Sequence, residues 1–261
     1  MLPLIIFNLI LVAIIAIGLF FTKKFVVSER AKNIMLIVAS FITILCHYSS
    51  LLYHHFLDRT AMLYLRCNPN LILPIYPCNV VMWSCVIYGL IKNKTSRFGK
   101  YMCDYIFWFG IISTVVGMFA NIDFINNPTL KNYDTVKGIV AHATLLFNVL
   151  LLPIFGHVKV EMKRNMTHII IAIVEMLVIG LYCNLAIFTL VSKEFAYEVN
   201  SMFIVHSPFE GISFLTFPII SVIAVPVYFA VFAICEIFAY KKGERFYDRF
   251  RKKQTNDTPK A

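Results

Sequence analysis

The chain has 261 residues, of which 59% are hydrophobic and only 15% are charged, and its formal net charge is +10 at pH 7. Ordinary soluble domains carry about 25% charged residues, so this composition excludes that class and indicates an integral membrane protein. A basic net charge can indicate nucleic-acid binding, but in membrane proteins Lys and Arg concentrate in cytoplasmic loops. What the charges mean therefore depends on where they lie along the chain.

Seven apolar runs are long enough to cross the roughly 30 Å hydrocarbon core of a bilayer. The first has no Lys or Arg before it and no small-residue cleavage site after it, so we expect a helix and not a signal peptide. We predict an all-α, polytopic membrane bundle, with a seven-helix transmembrane domain at 1–240 and a basic, flexible cytoplasmic tail at 241–261. The predicted spans are 2–22, 34–57, 71–91, 101–121, 136–156, 167–191 and 212–240.

The basic residues sort strongly by loop. The connections after the first, third and fifth spans, together with the tail, contain 19 of the 24 Lys and Arg residues. Cytoplasmic loops carry the excess of positive charge in multi-pass proteins, which predicts an outside N-terminus and a cytoplasmic C-terminus. We expect a multi-pass protein of the plasma membrane, and the charge gives no support to a nucleic-acid partner.

Polar side chains recur along one face of the second span. They lie at steps of three and four residues, so they share one side of a helix that must face protein or water. Interhelical hydrogen bonding explains such a stripe as well as a functional site does, although the mid-membrane His47 favours function. The stripe consists of Ser40, Thr43, His47, Ser50 and His54.

The third span opens with Leu73-Pro74-Ile75-Tyr76-Pro77-Cys78-Asn79. Two prolines leave an irregular entrance and free backbone groups. Most membrane cysteines are small apolar fillers, but Cys78 follows directly after this break. Free N–H groups and the helix dipole stabilise a thiolate, so Cys78 is a candidate nucleophile.

A histidine and an asparagine fall in the same outer half of the membrane. His142 lies about 10 Å below the outer end of the fifth span at 1.5 Å per residue, and Cys78 starts the third span at a similar depth. A Cys with a His in reach forms a nucleophile and base pair, and Asn184 on the sixth span could orient the imidazole or donate to an oxyanion. The His and Cys spacings indicate no metal site, and we expect no cofactor.

These elements together resemble the YwaF-like bacterial integral membrane proteins, which are similar to the eukaryotic acyltransferase called transmembrane protein one-six-four. The resemblance spans most of the chain, although each motif is short. It rests on Leu73-Pro74-Ile75-Tyr76-Pro77-Cys78, on His142 followed by Pro153, on Asn184, and on Asn200-Ser201-Met202-Phe203 with Pro208.

The resemblance implies seven helices and thiol-dependent acyl transfer between phospholipids without a CoA thioester. Carried onto this chain, it makes Cys78 the acyl-accepting nucleophile and His142 its base. Phospholipid and lysophospholipid would be the substrates. The bacterial members tend to have His two positions before the Cys, where this chain has Tyr76; either a second His is not needed or His47 replaces it. Asn184 and Asn200 are the remaining supporting residues.

Two alternatives stay open at the level of sequence. If water resolves the thioester, the same residues form a Cys-dependent membrane lipase. A small-solute or lipid transporter without catalytic activity would instead use helices broken at prolines and a polar path. The odd number of predicted helices and the lack of a visible repeat weigh against the transporter. The sequence indicates no particular protein partner beyond the lipid bilayer.

Overall fold

The computed structural model describes residues 2–57, 59, 68–119, 129–207 and 211–248. Regular structure in these ranges is entirely helical, and six of the described helices are long and apolar enough to cross a membrane. The prediction of a multi-pass all-α bundle is thereby confirmed, while the predicted tail lies outside the described residues from 249 onward. The helices are α1 Leu2–Phe25, α2 Glu29–Phe56, α3 Pro77–Leu90, α4 Arg97–Phe119, α5 Tyr133–Ile154, α6 Met162–Leu190, α7 Lys193–Val199 and α8 Phe217–Ala239.

Helix α5 lies at the centre of the bundle. It packs against α1, α2, α3 and α4, and α2 also packs against α3, while α6 packs against α7 and α8. The polar stripe of α2 faces inward as predicted, since Ser40, Thr43, His47 and Ser50 are all buried. The outward surfaces are apolar, with side chains such as Phe238 86% exposed. Such surfaces fit a lipid bilayer.

Helix α3 is much shorter than the predicted span at 71–91. It has 14 residues and is therefore about 21 Å long. The residues before it form a 3₁₀ turn at Pro69–Leu71 and a non-helical segment. Proline disfavours the helical conformation in the residue before it, and Tyr76 is accordingly extended, with φ −123° and ψ 153°. Pro77 then occupies the first helical turn, where its missing N–H costs nothing.

The other end of α3 is held by a basic residue. The Lys94 ammonium donates to the carbonyls of Tyr88 and Ile91 at 3.0 and 2.9 Å, which satisfies carbonyl groups at the helix C-terminus. The Tyr88 hydroxyl also lies 3.0 Å from Nδ1 of His157, in the loop after α5. Burial, and then the charge of Lys94, lower the pKa of His157, which favours its neutral ring at pH 7. Helix α3 is thus held at its C-terminal end.

Candidate functional site

A cavity of about 180 Å³ lies where the start of α3 meets α2 and α5. Four of the six site residues predicted from the sequence line it: Cys78, His142, His47 and Tyr76. Its remaining lining mixes polar residues, two of them from the loop at 68–70, with apolar residues. The complete lining is Thr43, His47, Asn68, Asn70, Tyr76, Cys78, Asn79, Met82, Asp134, Lys137, Gly138, Ala141, His142 and Leu145.

The start of α3 lies at the depth of the middle of its neighbours. His47 is nine residues before the end of α2, and His142 is nine residues after the start of α5. Each is therefore about 14 Å from that end of its helix, yet Cys78 lines the same cavity as the second residue of α3. Helix α3 consequently begins well below the ends of α2 and α5. Irregular backbone at this depth is tolerated where it lines a cavity within the protein.

The Cys78 thiol lies against the first amides of α3. The backbone N–H groups of Cys78 and Asn79 are close enough to the sulfur to act on it electrostatically. Asn79 in turn holds the turn before the helix, because its Oδ1 accepts from the Tyr76 N–H at 3.2 Å and its own N–H donates to the Tyr76 carbonyl at 3.0 Å. Cys78 is partly buried and contributes to the lining of the cavity.

The orientation of the His142 ring leaves one nitrogen available. Nδ1 lies 2.8 Å from the Gly138 carbonyl one turn earlier, and because a carbonyl only accepts, Nδ1 carries the hydrogen. In the neutral ring Nε2 is then the free base. The ring lies against Gly117 of α4, where a Cβ would overlap Cδ2 and Nε2 of the imidazole. Glycine at 117 therefore makes room for this ring.

His47 connects the cavity to the loop above it. Its Nε2 lies 3.2 Å from the Asn70 carbonyl, so this nitrogen is the donor and Nδ1 is the acceptor. His47 is 9% exposed and close enough to His142 for the two rings to interact electrostatically. His47 is thus in place to support the site, whereas His54 on the same stripe pairs with Asp134 at 3.1 Å.

Asn184 and Asn200 do not line the cavity, and both stabilise the segment that holds the start of α3. Asn184 forms two hydrogen bonds with the Ser201 backbone, at 3.1 Å to its carbonyl and 2.9 Å from its N–H. The Ser201 hydroxyl and the Met202 N–H both donate to the Ile75 carbonyl, three residues before Cys78. Asn200 bridges the same segment to His206. The two asparagines therefore act on the site through the backbone.

This segment is also strained. Asn200, Met202 and Phe203 have φ values of 47°, 55° and 54°, a left-handed region that costs about 1–3 kcal/mol for such residues. Met202 is fully buried, and Gly180 of α6 permits its close approach, since a Cβ there would lie 2.7 Å from the Met202 Cβ. Tyr76 lies with its ring centre 5.7 Å from that of Phe203. The hydrogen bonds of this segment to Asn184 and to the Ile75 carbonyl offset the cost of this strain.

We predict that Asn184→Ala lowers the stability of the protein. The substitution leaves the Ser201 N–H and carbonyl without their partner, and Ser201 is fully buried. An unsatisfied buried group costs about 1–3 kcal/mol. Thermal unfolding in detergent should show a Tm several degrees lower than that of the wild type. Thr189→Ala is the control, because this exposed residue on the same helix forms hydrogen bonds only within its own helix. Equal Tm values for the two variants would contradict the role of Asn184 in stabilising the Ser201 segment.

Lys137 also lines the cavity, although it was not among the site residues predicted from the sequence. It is the fifth residue of α5, and its positive charge interacts with Cys78, His47 and His142. The sequence could have indicated this residue, because Lys137 falls inside the predicted span 136–156, where a charged side chain is costly and usually functional.

Metal binding has no support among the described residues. They contain no group of three or more His, Cys, Asp or Glu side chains placed to hold a metal ion. His206, one of the candidates by residue type, instead has both ring nitrogens near backbone carbonyls, those of Ser207 and Tyr197.

Comparison with known families finds one relevant match. The model of the TMEM164 family matches residues 2–237, nearly the whole chain and all of the elements that form the cavity. Comparisons with curated proteins and with solved structures give no match.

Proposed function

Since the chain belongs to the TMEM164 family, we propose that it is a phospholipid acyltransferase or transacylase that works without CoA, with Cys78 as nucleophile and His142 as base. The observation that carries this proposal is that both side chains line one cavity, at the depth where α3 begins. The free Nε2 of His142 and the amides at the Cys78 sulfur are the groups that thiol chemistry needs.

The proposed reaction has two halves. In the first, the Cys78 sulfur attacks the carbonyl carbon of a phospholipid ester while its proton passes to Nε2 of His142. The tetrahedral intermediate collapses, the C–O bond breaks, and His142 returns the proton to the departing lysophospholipid oxygen. In the second, a lysophospholipid hydroxyl gives its proton to His142 and attacks the thioester. A new ester forms, and Cys78 recovers its thiol.

The lining of the cavity fits the reacting part of a lipid. It combines the polar residues Asn68, Asn70 and Lys137 with the apolar residues Met82 and Leu145, so it offers contacts to both the polar and the apolar parts of a glycerophospholipid. The volume of about 180 Å³ is below the range of roughly 300–1,000 Å³ for sites that enclose a drug-sized ligand. We infer that only the ester region enters and that the acyl chains remain in the bilayer.

The topology belongs to the same proposal. Helix α3 and the non-helical segment before it would together make the remaining crossing, giving seven spans with the N-terminus outside. The concentration of Lys and Arg in alternate loops supports this orientation. The cavity would then open toward the outer leaflet of the plasma membrane, where it would meet both donor and acceptor lipids.

The proposal is tested with purified protein in phospholipid vesicles. The measurement follows a phospholipid labelled in its acyl chain, with or without added lysophospholipid and with no CoA present. We expect the label to move to the lysophospholipid. Release of labelled fatty acid at an unchanged rate with acceptor present would assign a lipase, and no chemical change together with movement of lipid or solute across the vesicle would assign a transporter.

A further inference from the structure

Lys137 occupies a defined level of the cavity. It is four residues after the start of α5 and five residues before His142, so it lies about 6 Å below the helix end and about 7.5 Å above the base. That places its ammonium near the membrane interface, with the thiol chemistry deeper. In a glycerophospholipid the phosphate is also at the interface, and only a few bonds separate it from the acyl esters.

The charge of Lys137 is not neutralised by a direct partner in the described part of the chain. None of the ion pairs there, defined by a nitrogen–oxygen distance of at most 4.0 Å, includes Lys137. Asp134 also lines the cavity and is near enough for its charge to act on Lys137, but its carboxylate lies 3.1 Å from Nε2 of His54 and forms no ion pair with the Lys137 ammonium. A partly buried ammonium directed at a cavity is costly without an anion, which indicates that the ligand supplies one.

Other groups around Lys137 favour an anion as well. The backbone amides at the start of α3 present N–H groups that attract negative charge. The Lys137 charge reaches the Cys78 sulfur beside these amides. Lys137 and the amides therefore suit a phosphodiester, while His142 lies five residues deeper along α5.

We propose that Lys137 binds the phosphate group of the phospholipid substrate and thereby places the adjacent acyl ester beside Cys78. This inference deepens the proposed acyl transfer and rests on it for the role of the ester. It assigns the substrate class as phosphate-bearing lipids, and it predicts discrimination against neutral glycerolipids with the same acyl chains.

The experiment measures binding in the full-length Cys78→Ala protein in maltoside micelles, so that no reaction interferes. The ligands are dioctanoylphosphatidylcholine and the neutral dioctanoylglycerol, each with and without inorganic phosphate as competitor. Adding Lys137→Met should weaken phosphatidylcholine binding about 10- to 100-fold, because a charge-assisted hydrogen bond is lost. Binding of dioctanoylglycerol should change less than about threefold. Lys137→Arg should keep most of the phospholipid affinity.

The matched control is Lys131→Met, which removes an exposed lysine from the segment just before α5 and should leave both affinities unchanged. Equal binding of phosphatidylcholine by the Cys78→Ala protein and its Lys137→Met derivative would overturn the inference. So would competition by inorganic phosphate without a preference for the phospholipid, which would assign a site for free phosphate.

A second measurement separates this inference from the proposed function. The wild type and the Lys137→Met variant, both with Cys78 intact, are each mixed with phosphatidylcholine or with dioctanoylglycerol in the absence of an acceptor. The release of the lysophospholipid or of the monoacylglycerol is then measured. If Lys137→Met slows acylation by phosphatidylcholine but not by dioctanoylglycerol, the result supports phosphate binding. An equal decrease with both donors would assign Lys137 to stabilising the Cys78 thiolate and would overturn the inference. Phosphate-dependent binding without any acylation by the wild type would reject the acyltransferase while the phosphate site stands.

Discussion

Replacing Cys78 with alanine is expected to abolish acyl transfer while leaving the protein folded. The sulfur is the only nucleophile in the proposed reaction, and nothing else in the cavity can carry the acyl group as a thioester. We expect the rate of label transfer to fall at least about 1,000-fold. The side chain is small and only partly buried, so the Tm in detergent should change little.

The control for this substitution is Cys85→Ala. Cys85 lies on the same helix and is buried, but it does not line the cavity, so its replacement should preserve transfer. Cys78→Ser gives a further comparison, because it keeps a side chain of similar size and replaces the thiol with a hydroxyl, a much weaker nucleophile. Transfer that survives in Cys78→Ala would remove Cys78 from the mechanism.

His142→Asn is expected to reduce acyl transfer by about 100- to 10,000-fold, the usual contribution of a general base. Asparagine places an amide N–H close to the position of Nδ1, so the hydrogen bond to Gly138 can be kept while the basic Nε2 is lost. The rate should also lose its pH dependence in the range where the imidazole titrates. Transfer rates measured across pH for both proteins test this.

Gly117→Ala is the companion variant for the base. It leaves every reacting group in place, but its Cβ would overlap the His142 ring, so the imidazole must move. We expect a clear loss of rate with little change in phospholipid affinity. Gly18→Ala, whose Cβ would meet only the Phe147 ring at 3.2 Å, should retain activity. Full activity of Gly117→Ala would argue that the position of His142 is unimportant.

The bundle was largely predictable because the bilayer imposes a simple rule on sequence. Apolar runs of about 20 residues must form helices, since the backbone has no other partners in lipid. Hydropathy failed at the third span, where Leu71, Leu73 and Ile75 are as apolar as the helix that follows. Two prolines signalled irregularity, but the hydrogen bonds of Ser201 and Met202 to the Ile75 carbonyl, which hold the non-helical segment, come from a distant part of the chain that the local sequence does not reveal.

The candidate site was predictable in part. Polar groups are costly in apolar spans, and this pointed to Cys78, His142 and His47. Because the rise per residue of a helix is constant, their positions along the spans predicted similar depths in the membrane. Asn184 was expected near the imidazole, but depth gives no direction around a helix axis, and its side chain faces Ser201. Lys137 was missed because it is the second residue of the predicted span 136–156, and a span boundary is uncertain by about a turn.

The most direct test of the central claim is the chemical state of Cys78 during turnover. The wild-type protein is mixed with labelled phospholipid without acceptor, quenched in acid, digested and analysed by mass spectrometry. We predict an acyl group on the peptide containing Cys78, removed by hydroxylamine and discharged when lysophospholipid is added before the quench. An enzyme that transfers acyl groups while Cys78 stays unmodified, or that carries the acyl group on another residue, would contradict the account.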